Sequence, residues 1–92
     1  MLRKHFFVSG RVQGVYYRVF VRETAWETGV KGWVRNRRDG RVEAIMEGGP
    51  DAIDEAIRRC RQGPPGAFIE KIDIDVEPFT GEFNDFKIVS TV

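Results

Sequence analysis

Residues 12–18, with the sequence VQGVYYR, form the first group in this chain that is suited to binding an anion. The segment lies between a predicted strand and a predicted helix, where backbone N–H groups converge and attract negative charge. Gly14 allows the chain to curl tightly, and Arg18 offers a planar pair of donors that matches two phosphate oxygens. Such turns are common and a lone Arg is usually solvated, so this pattern alone is weak evidence for a phosphate site.

Asn36 is the second candidate residue. It ends the segment GWVRN, residues 32–36, shortly before the tight-turn pair Asp39-Gly40. In a functional interpretation, its carboxamide holds a water molecule beside the anion loop. In a structural interpretation, the side chain bonds to nearby backbone and shapes the hairpin, and this is the better explanation from the pattern alone.

The other reactive residue types offer little further chemistry. His5 is the only histidine and Cys60 the only cysteine, so the two cannot build a zinc site. We expect His5 to be a partly exposed strand residue and Cys60 to lie in the core, on the apolar stripe of a helix. Asp73, Asp75 and Glu77 alternate along a strand, which is typical of a solvated face rather than of metal ligands. The sequence therefore predicts neither a metal nor a cofactor.

Length and charge limit the classes of protein to which the chain can belong. Its 92 residues predict one domain, residues 1–92, and its net charge of +1 argues against a general polyanion binder such as a nucleic-acid-binding protein. No apolar run approaches the roughly 20 residues needed to cross a bilayer, and residues 1–10 lack the features of a secretory signal. A single cysteine forms no intramolecular disulfide, so we expect a cytoplasmic protein.

The elements that must position these candidates follow from periodicity. Residues 5–12 predict a first strand, and a helix follows from Tyr17 to the helix-ending residue Gly29. Residues 30–36 and 41–47 predict a hairpin, because an Asp-Gly turn separates two alternating runs.

The second half of the chain repeats the alternation of strand and helix. Residues 51–62 predict a second helix that follows Pro50 and precedes a Gly-Pro-Pro stop. Residues 71–77 predict a fourth strand with Ile72, Ile74 and Val76 buried, and Phe86 and Ile88 predict a short final strand. The order predicts an α+β fold, in which two helices cover one face of an antiparallel sheet and the other face stays largely in water.

Two long gapped segments resemble the signatures of the acylphosphatase family. Residues 8–18, VSGRVQGVYYR, are similar to its phosphate-loop signature. Residues 32–48 are similar to its second signature, which is GWVRN, three residues, Gly40, one residue, Val42, five residues and Gly48. The resemblance covers essentially the whole chain, because family members have about this length and a ferredoxin-like β-α-β-β-α-β fold. It implies an enzyme that hydrolyses acyl phosphates to a carboxylate and inorganic phosphate without a metal ion.

The resemblance also implies roles for residues. Arg18 binds the substrate phosphate and Asn36 orients the attacking water. Because Asn accepts no proton at neutral pH, the substrate's own phosphate oxygen takes the proton of that water. Phosphate or sulfate is the expected anion at the site, and the expected enzyme is a monomer that binds no nucleic acid and no membrane. The phosphate-binding loop consists of Gln13, Gly14, Val15, Tyr16, Tyr17 and Arg18.

Some alternatives stay open from the sequence. The same fold serves in RNA-recognition and anion-binding modules, although no aromatic run typical of RNA readers is present. A maturation-type domain that keeps the phosphate cradle without turnover is a further alternative. The basic residues around the hairpin turn either attract anionic substrate or are simply solvated. Two departures from the family pattern are Tyr17, where Phe is usual, and the non-aromatic end of the chain, residues 88–92.

Overall fold

The computed structural model describes all of residues 1–92, and every predicted helix and strand is present. The two longest strands begin earlier than their alternation indicated, at Leu2 rather than residue 5 and at Phe68 rather than residue 71. Neither helix is long and apolar enough to cross a membrane. The elements are β1 (Leu2–Arg11), α1 (Tyr17–Thr28), β2 (Lys31–Asn36), β3 (Val42–Gly48), α2 (Pro50–Gln62), β4 (Phe68–Glu77) and β5 (Phe86–Ile88).

The sheet has the strand order β4-β1-β3-β2-β5. The first four strands in this order pair antiparallel, as predicted, whereas β5 pairs parallel with β2, so the complete sheet is mixed. The difference arises because the chain after β4 crosses to the opposite edge before it forms β5. On the way, the backbone N–H groups of Thr80 and Gly81 bond to the Glu47 carboxylate of β3.

Helices α1 and α2 pack side by side on one face of the sheet, and the core lies between these two layers. Helix α1 ends at Gly29, whose φ of 76° is in the left-handed region that favours glycine. Helix α2 begins with Pro50 at its first position and ends before Gly63. Cys60 belongs to the core, as predicted, and burial raises the pKa of its thiol to about 12.

The opposite face of the sheet is less solvated than its alternating charges indicated. Glu43, Ile45 and Glu47 of β3 are all buried, so this central strand is covered on both faces. Long arginine side chains from neighbouring segments cover it and pair with the two carboxylates. A pattern of alternating charge cannot reveal this, since the charged partners come from other strands.

Strand β4 also differs from the expected pattern at one end. Ile72 and Ile74 pack against the core, but Val76 is 69% exposed. The reason is position, because β4 is the outermost strand on its edge of the sheet and no element packs beyond it.

Candidate active site

The loop between β1 and α1 has the backbone geometry of an anion cradle. Gly14 and Tyr16 both adopt left-handed conformations, with φ of 74° and 61°, and they alternate with ordinary residues. This alternation turns successive N–H groups towards one side of the chain. Outside the regular elements, no backbone hydrogen bond has its donor within residues 13–19. The loop and the first turn of α1 therefore present free N–H donors at a helix N-terminus.

Arg18 lies in the first turn of α1 and is partly buried. Two arginines of the nearby hairpin are paired with a carboxylate: Arg35 and Arg37 each lie 2.9 Å from Oε1 of Glu43. Arg18 makes no such ion pair with a carboxylate. Its guanidinium is thus available to an external anion, whereas those of Arg35 and Arg37 are largely neutralised.

Three basic residues of the hairpin, Arg35, Arg37 and Arg41, are in ion pairs, whereas Arg38 is not. Asp39 accepts hydrogen bonds from both Arg41 and Arg37, and these bonds hold the pKa of its carboxyl well below the usual range. Glu43 neutralises Arg35 and Arg37 on the other side. The cluster therefore acts mainly in holding the turn together, and attraction of substrate by these residues is weakened.

Asn36 is the last residue of β2, opposite Val42 of β3. Its Oδ1 atom is buried and has no hydrogen-bond partner in the protein. The structural interpretation, in which this side chain bonds to hairpin backbone, is therefore wrong. A buried acceptor without a partner costs free energy, so Asn36 Oδ1 is a candidate for contact with a molecule from outside the protein.

A single pocket brings the two candidates together. It has a volume of about 440 Å³, and both Arg18 and Asn36 line it. Its other lining residues are Gly14, Tyr16 and Tyr17 from the loop and the apolar residues Val12, Val19 and Ile88. Sequence reasoning included Val12 in the anion-binding segment but did not assign Val19 or Ile88 to the site. Val12 and Val19 flank the loop in the sequence, so their presence in the pocket could have been predicted. Ile88 is distant along the chain, and nothing in the sequence indicated that it lines the pocket.

Two residues of the predicted loop lie elsewhere. The Gln13 side chain is not part of the pocket lining, and it donates hydrogen bonds to the carbonyls of Arg37 and Arg41. Val15 is also absent from the lining, and it packs against the core. Any contact of these two residues with an anion would therefore involve their backbone rather than their side chains.

Tyr17 supports the loop from below. Its ring is fully buried, and its hydroxyl donates a hydrogen bond of 2.7 Å to the backbone carbonyl of Cys60. Burial raises the pKa of this phenol, which therefore stays protonated. The hydroxyl of Tyr17 thus connects α1 to α2 through a hydrogen bond inside the protein.

His5, the remaining residue with acid–base chemistry, is separate from the pocket. Its Nε2 lies 2.6 Å from a Glu43 carboxylate oxygen and its Nδ1 lies 2.8 Å from one of Glu77. With a side chain 20% exposed, it is partly exposed as predicted, but it has partners that the sequence did not indicate. Its role is to bridge three strands across the covered face of the sheet.

Comparison with known proteins identifies the family. The family model for acylphosphatase matches residues 4–88. An acylphosphatase of Pyrobaculum aerophilum is 52% identical over 93 residues, covering 100% of this chain and 98% of that protein. One of Pelotomaculum thermopropionicum is 46% identical, with 94% of each chain covered.

Solved structures agree with these matches. The crystal structure of acylphosphatase from Bacillus subtilis superposes with a TM-score of 0.94 at 36% identity and covers 97% of this chain and 99% of that one. Full-length HypF, in a phosphate- and nucleotide-bound form, matches with a TM-score of 0.88 at 33% identity, but only 12% of that chain is covered.

Fold, pocket and matches together define a small α+β hydrolase with the predicted ferredoxin-like architecture. The chain belongs to the acylphosphatase family, and its function is that of an acylphosphatase, as the two signature segments implied. These relatives support the catalytic interpretation and not the alternative of a binding module without turnover.

Proposed function

We propose that this acylphosphatase binds the phosphoryl group of a small acyl phosphate between the backbone N–H groups of its loop, residues 13–18, and the guanidinium of Arg18. Asn36 then positions the water molecule that attacks phosphorus. The observation that carries the proposal is the meeting, in one pocket, of an arginine without a carboxylate partner and a buried Asn36 Oδ1 without a hydrogen-bond partner.

The chemistry requires little more than charge neutralisation and positioning. An acyl phosphate departs as a carboxylate, which is a good leaving group and needs no proton from a general acid. The water oxygen forms a bond to phosphorus while the bond from phosphorus to the acyl oxygen breaks, and its electron pair leaves with the carboxylate. Arg18 and the loop amides offset the charge on the phosphoryl oxygens during this step.

Asn36 acts on the water through its acceptor atom. The water donates one hydrogen to the unpartnered Oδ1, which aims a lone pair of the water oxygen at phosphorus. Because a carboxamide is not a base at neutral pH, the proton that the water loses goes to a phosphate oxygen of the substrate. The substrate thus supplies its own base.

The apolar side of the pocket suits the acyl part of the substrate. Val19 and Ile88 line the pocket together with the exposed ring of Tyr16. Polar atoms of the substrate then lie on Arg18 and the loop, and its carbon atoms lie on this apolar wall. A pocket of about 440 Å³ fits a small acyl group.

Other properties of the proposed enzyme rest on separate observations. The family resemblance implies a reaction without a metal ion, and no group of three or more His, Cys, Asp or Glu side chains that could hold one is found. The proposed enzyme is a monomer, because edge strand β4 carries a bulge opposite Gly10 and a row of charged residues that oppose strand pairing. A cytoplasmic location agrees with its single, buried thiol.

Binding of nucleic acid is not part of the proposal. RNA readers with this fold stack bases on exposed aromatic residues of the central strands. Here, the Phe7 ring lies beneath the guanidinium of Arg41, at 4.6 Å, and the Trp33 ring beneath that of Arg35, at 4.5 Å. These rings already have stacking partners within the protein.

The first test removes the charge at the anion site. Arg18→Gln is expected to lower the rate of benzoyl phosphate hydrolysis by at least about a hundredfold, as loss of a group that stabilises transition-state charge does. Competitive inhibition by inorganic phosphate should be lost as well. Arg61→Gln is the matched control, because Arg61 is an exposed arginine on α2. Activity of Arg18→Gln within a few fold of wild type contradicts the proposal.

The second test separates water positioning from anion binding. Asn36→Ala is expected to lose turnover while phosphate still raises the melting temperature, since the ligand stabilises only the folded protein. Asn84→Ala, at an exposed position, is the control. If Asn36→Ala loses the thermal effect of phosphate in parallel with turnover, its role is structural and the water-positioning assignment is wrong.

A further inference from the structure

The carboxamide of Gln13 connects the anion loop to the hairpin. Its Nε2 donates one hydrogen bond of 2.7 Å to the Arg37 carbonyl and one of 2.9 Å to the Arg41 carbonyl. These two carbonyls belong to the turn between β2 and β3, which is closed by bonds from Arg37 N–H to Arg41 O and from Gly40 N–H to Arg37 O. Both hydrogens of the Gln13 amide therefore form hydrogen bonds, and both bonds connect the anion loop to this turn.

The turn begins immediately after Asn36. The Asn36 side chain has no hydrogen bond that fixes it, and its Oδ1 is unpartnered. Its position therefore depends on the backbone at the end of β2. That backbone is held on one side by the register with Val42 and by Val92, whose N–H bonds to the Asn36 carbonyl. On the side that faces the anion loop, the side chain that bonds to the backbone of this region is that of Gln13.

We propose that Gln13 is a positioning residue for the hydrolysis, and that its carboxamide sets the distance between the phosphate-binding loop and Asn36. The inference rests on the proposed function, because it assumes that Asn36 orients water towards a phosphoryl group held by the loop. Gln13 directly precedes Gly14 in the loop that binds phosphate, and Asn36 directly precedes the turn. If the turn moves relative to Gln13, Asn36 therefore moves relative to the phosphorus atom of the substrate.

Loss of this connection should affect the rate more than the binding of phosphate. The loop amides and Arg18 stay in place without the Gln13 side chain, so the affinity for inorganic phosphate is retained. The water held by Asn36, however, loses its alignment with phosphorus. Misplacement of reacting groups by about 1 Å costs up to roughly a hundredfold in rate.

The experiment compares Gln13→Met with Gln62→Met. Methionine keeps the length of the glutamine side chain but has no N–H donor, and Gln62 is an exposed glutamine at the end of α2 that makes no side-chain hydrogen bond. We expect Gln13→Met to lower kcat about tenfold or more while the inhibition constant of phosphate changes less than twofold, and Gln62→Met to change neither. An unchanged kcat, or a phosphate constant that rises in parallel with the loss of kcat, overturns the inference.

A double-mutant cycle tests whether Gln13 acts through Asn36. In the Asn36→Ala background, Gln13→Met should have less than a twofold further effect on residual turnover, because the residue that it positions is already absent. An equal effect in both backgrounds overturns the positioning role while leaving the proposed function intact. Full turnover of Asn36→Ala alone overturns the proposed role of Asn36, and this inference with it.

A spectroscopic readout does not depend on turnover. In the phosphate-bound protein, the side-chain amide resonances of Asn36 should shift or broaden in Gln13→Met. The shift of the Gly14 backbone amide on addition of phosphate should be unchanged, because the loop itself is intact. Unaltered Asn36 resonances overturn the inference. If Gln13→Met does not fold, Gln13→Leu, which is also uncharged and has no amide donor, takes its place with the same expected results.

Discussion

Replacing Tyr17 by Phe should destabilise the enzyme without impairing its chemistry. The Tyr17 hydroxyl donates to the carbonyl of Cys60 in the last turn of α2. Within an α-helix that carbonyl would accept from the residue four positions later, but this residue is Pro64, which has no N–H. The hydroxyl of Tyr17 is thus the donor that satisfies a carbonyl inside the protein.

The expected loss of stability in Tyr17→Phe follows from the loss of this hydrogen bond. Removing the hydroxyl leaves a buried carbonyl without a donor, which costs about 1–3 kcal/mol. For a domain of this size, each kcal/mol corresponds to roughly 4–8 °C in melting temperature, so Tyr17→Phe should melt at least about 4 °C below wild type. Because the hydroxyl faces α2 rather than the pocket, kcat and KM for benzoyl phosphate should stay within about twofold at temperatures where the variant is folded.

The assay is thermal and urea denaturation followed by circular dichroism, with Tyr16→Phe as the matched control. Tyr16 is 83% exposed and its hydroxyl makes no hydrogen bond within the protein, so its removal should change stability by less than about 0.5 kcal/mol. If Tyr17→Phe is as stable as wild type, the carbonyl of Cys60 does not depend on the hydroxyl and the reasoning is refuted. Loss of activity at full stability would refute it in another way, by placing the hydroxyl in the reaction.

Three further predictions concern the thiol, a buried carboxylate and metal. Burial raises the pKa of Cys60 to about 12, so a thiol reagent at pH 8 should label the protein only after unfolding, and rapid labelling of the native enzyme would contradict this. Burial alone would raise the pKa of Glu43, but hydrogen bonds from His5 and two arginines outweigh it and lower the pKa below its ordinary 4.5. Stability gained from this group is therefore present above pH 4.5 and lost as pH falls further, so urea midpoints should decline there, and Glu43→Gln should flatten the decline; an unchanged slope would show that Glu43 is not responsible. Chelators should leave benzoyl phosphate hydrolysis unchanged, and inactivation that added metal reverses would reject a metal-free mechanism.

Local patterns were sufficient to predict the elements of this fold. Alternation in β3 and β4, the Asp39-Gly40 turn and the Pro50 start of α2 each act over a few residues, so the corresponding strands and helix form where they were expected. The strand ends at Leu2 and Phe68 were missed because pairing with neighbouring strands extends a strand beyond its own pattern. The short strand β5 was predicted, but its parallel pairing with β2 was not, because this pairing depends on where the chain crosses the sheet.

The sequence by itself determined the element order, the family and the two candidates Arg18 and Asn36, because the loop signature and the GWVRN segment are contiguous runs of residues. Only the tertiary structure decided that these two side chains share one pocket, that Ile88 completes its wall and that Asn36 Oδ1 has no partner. The physical reason is that burial and hydrogen-bond satisfaction depend on which distant segments meet. Gln13 shows the limit most clearly, since its two acceptors lie 24 and 28 residues further along the chain.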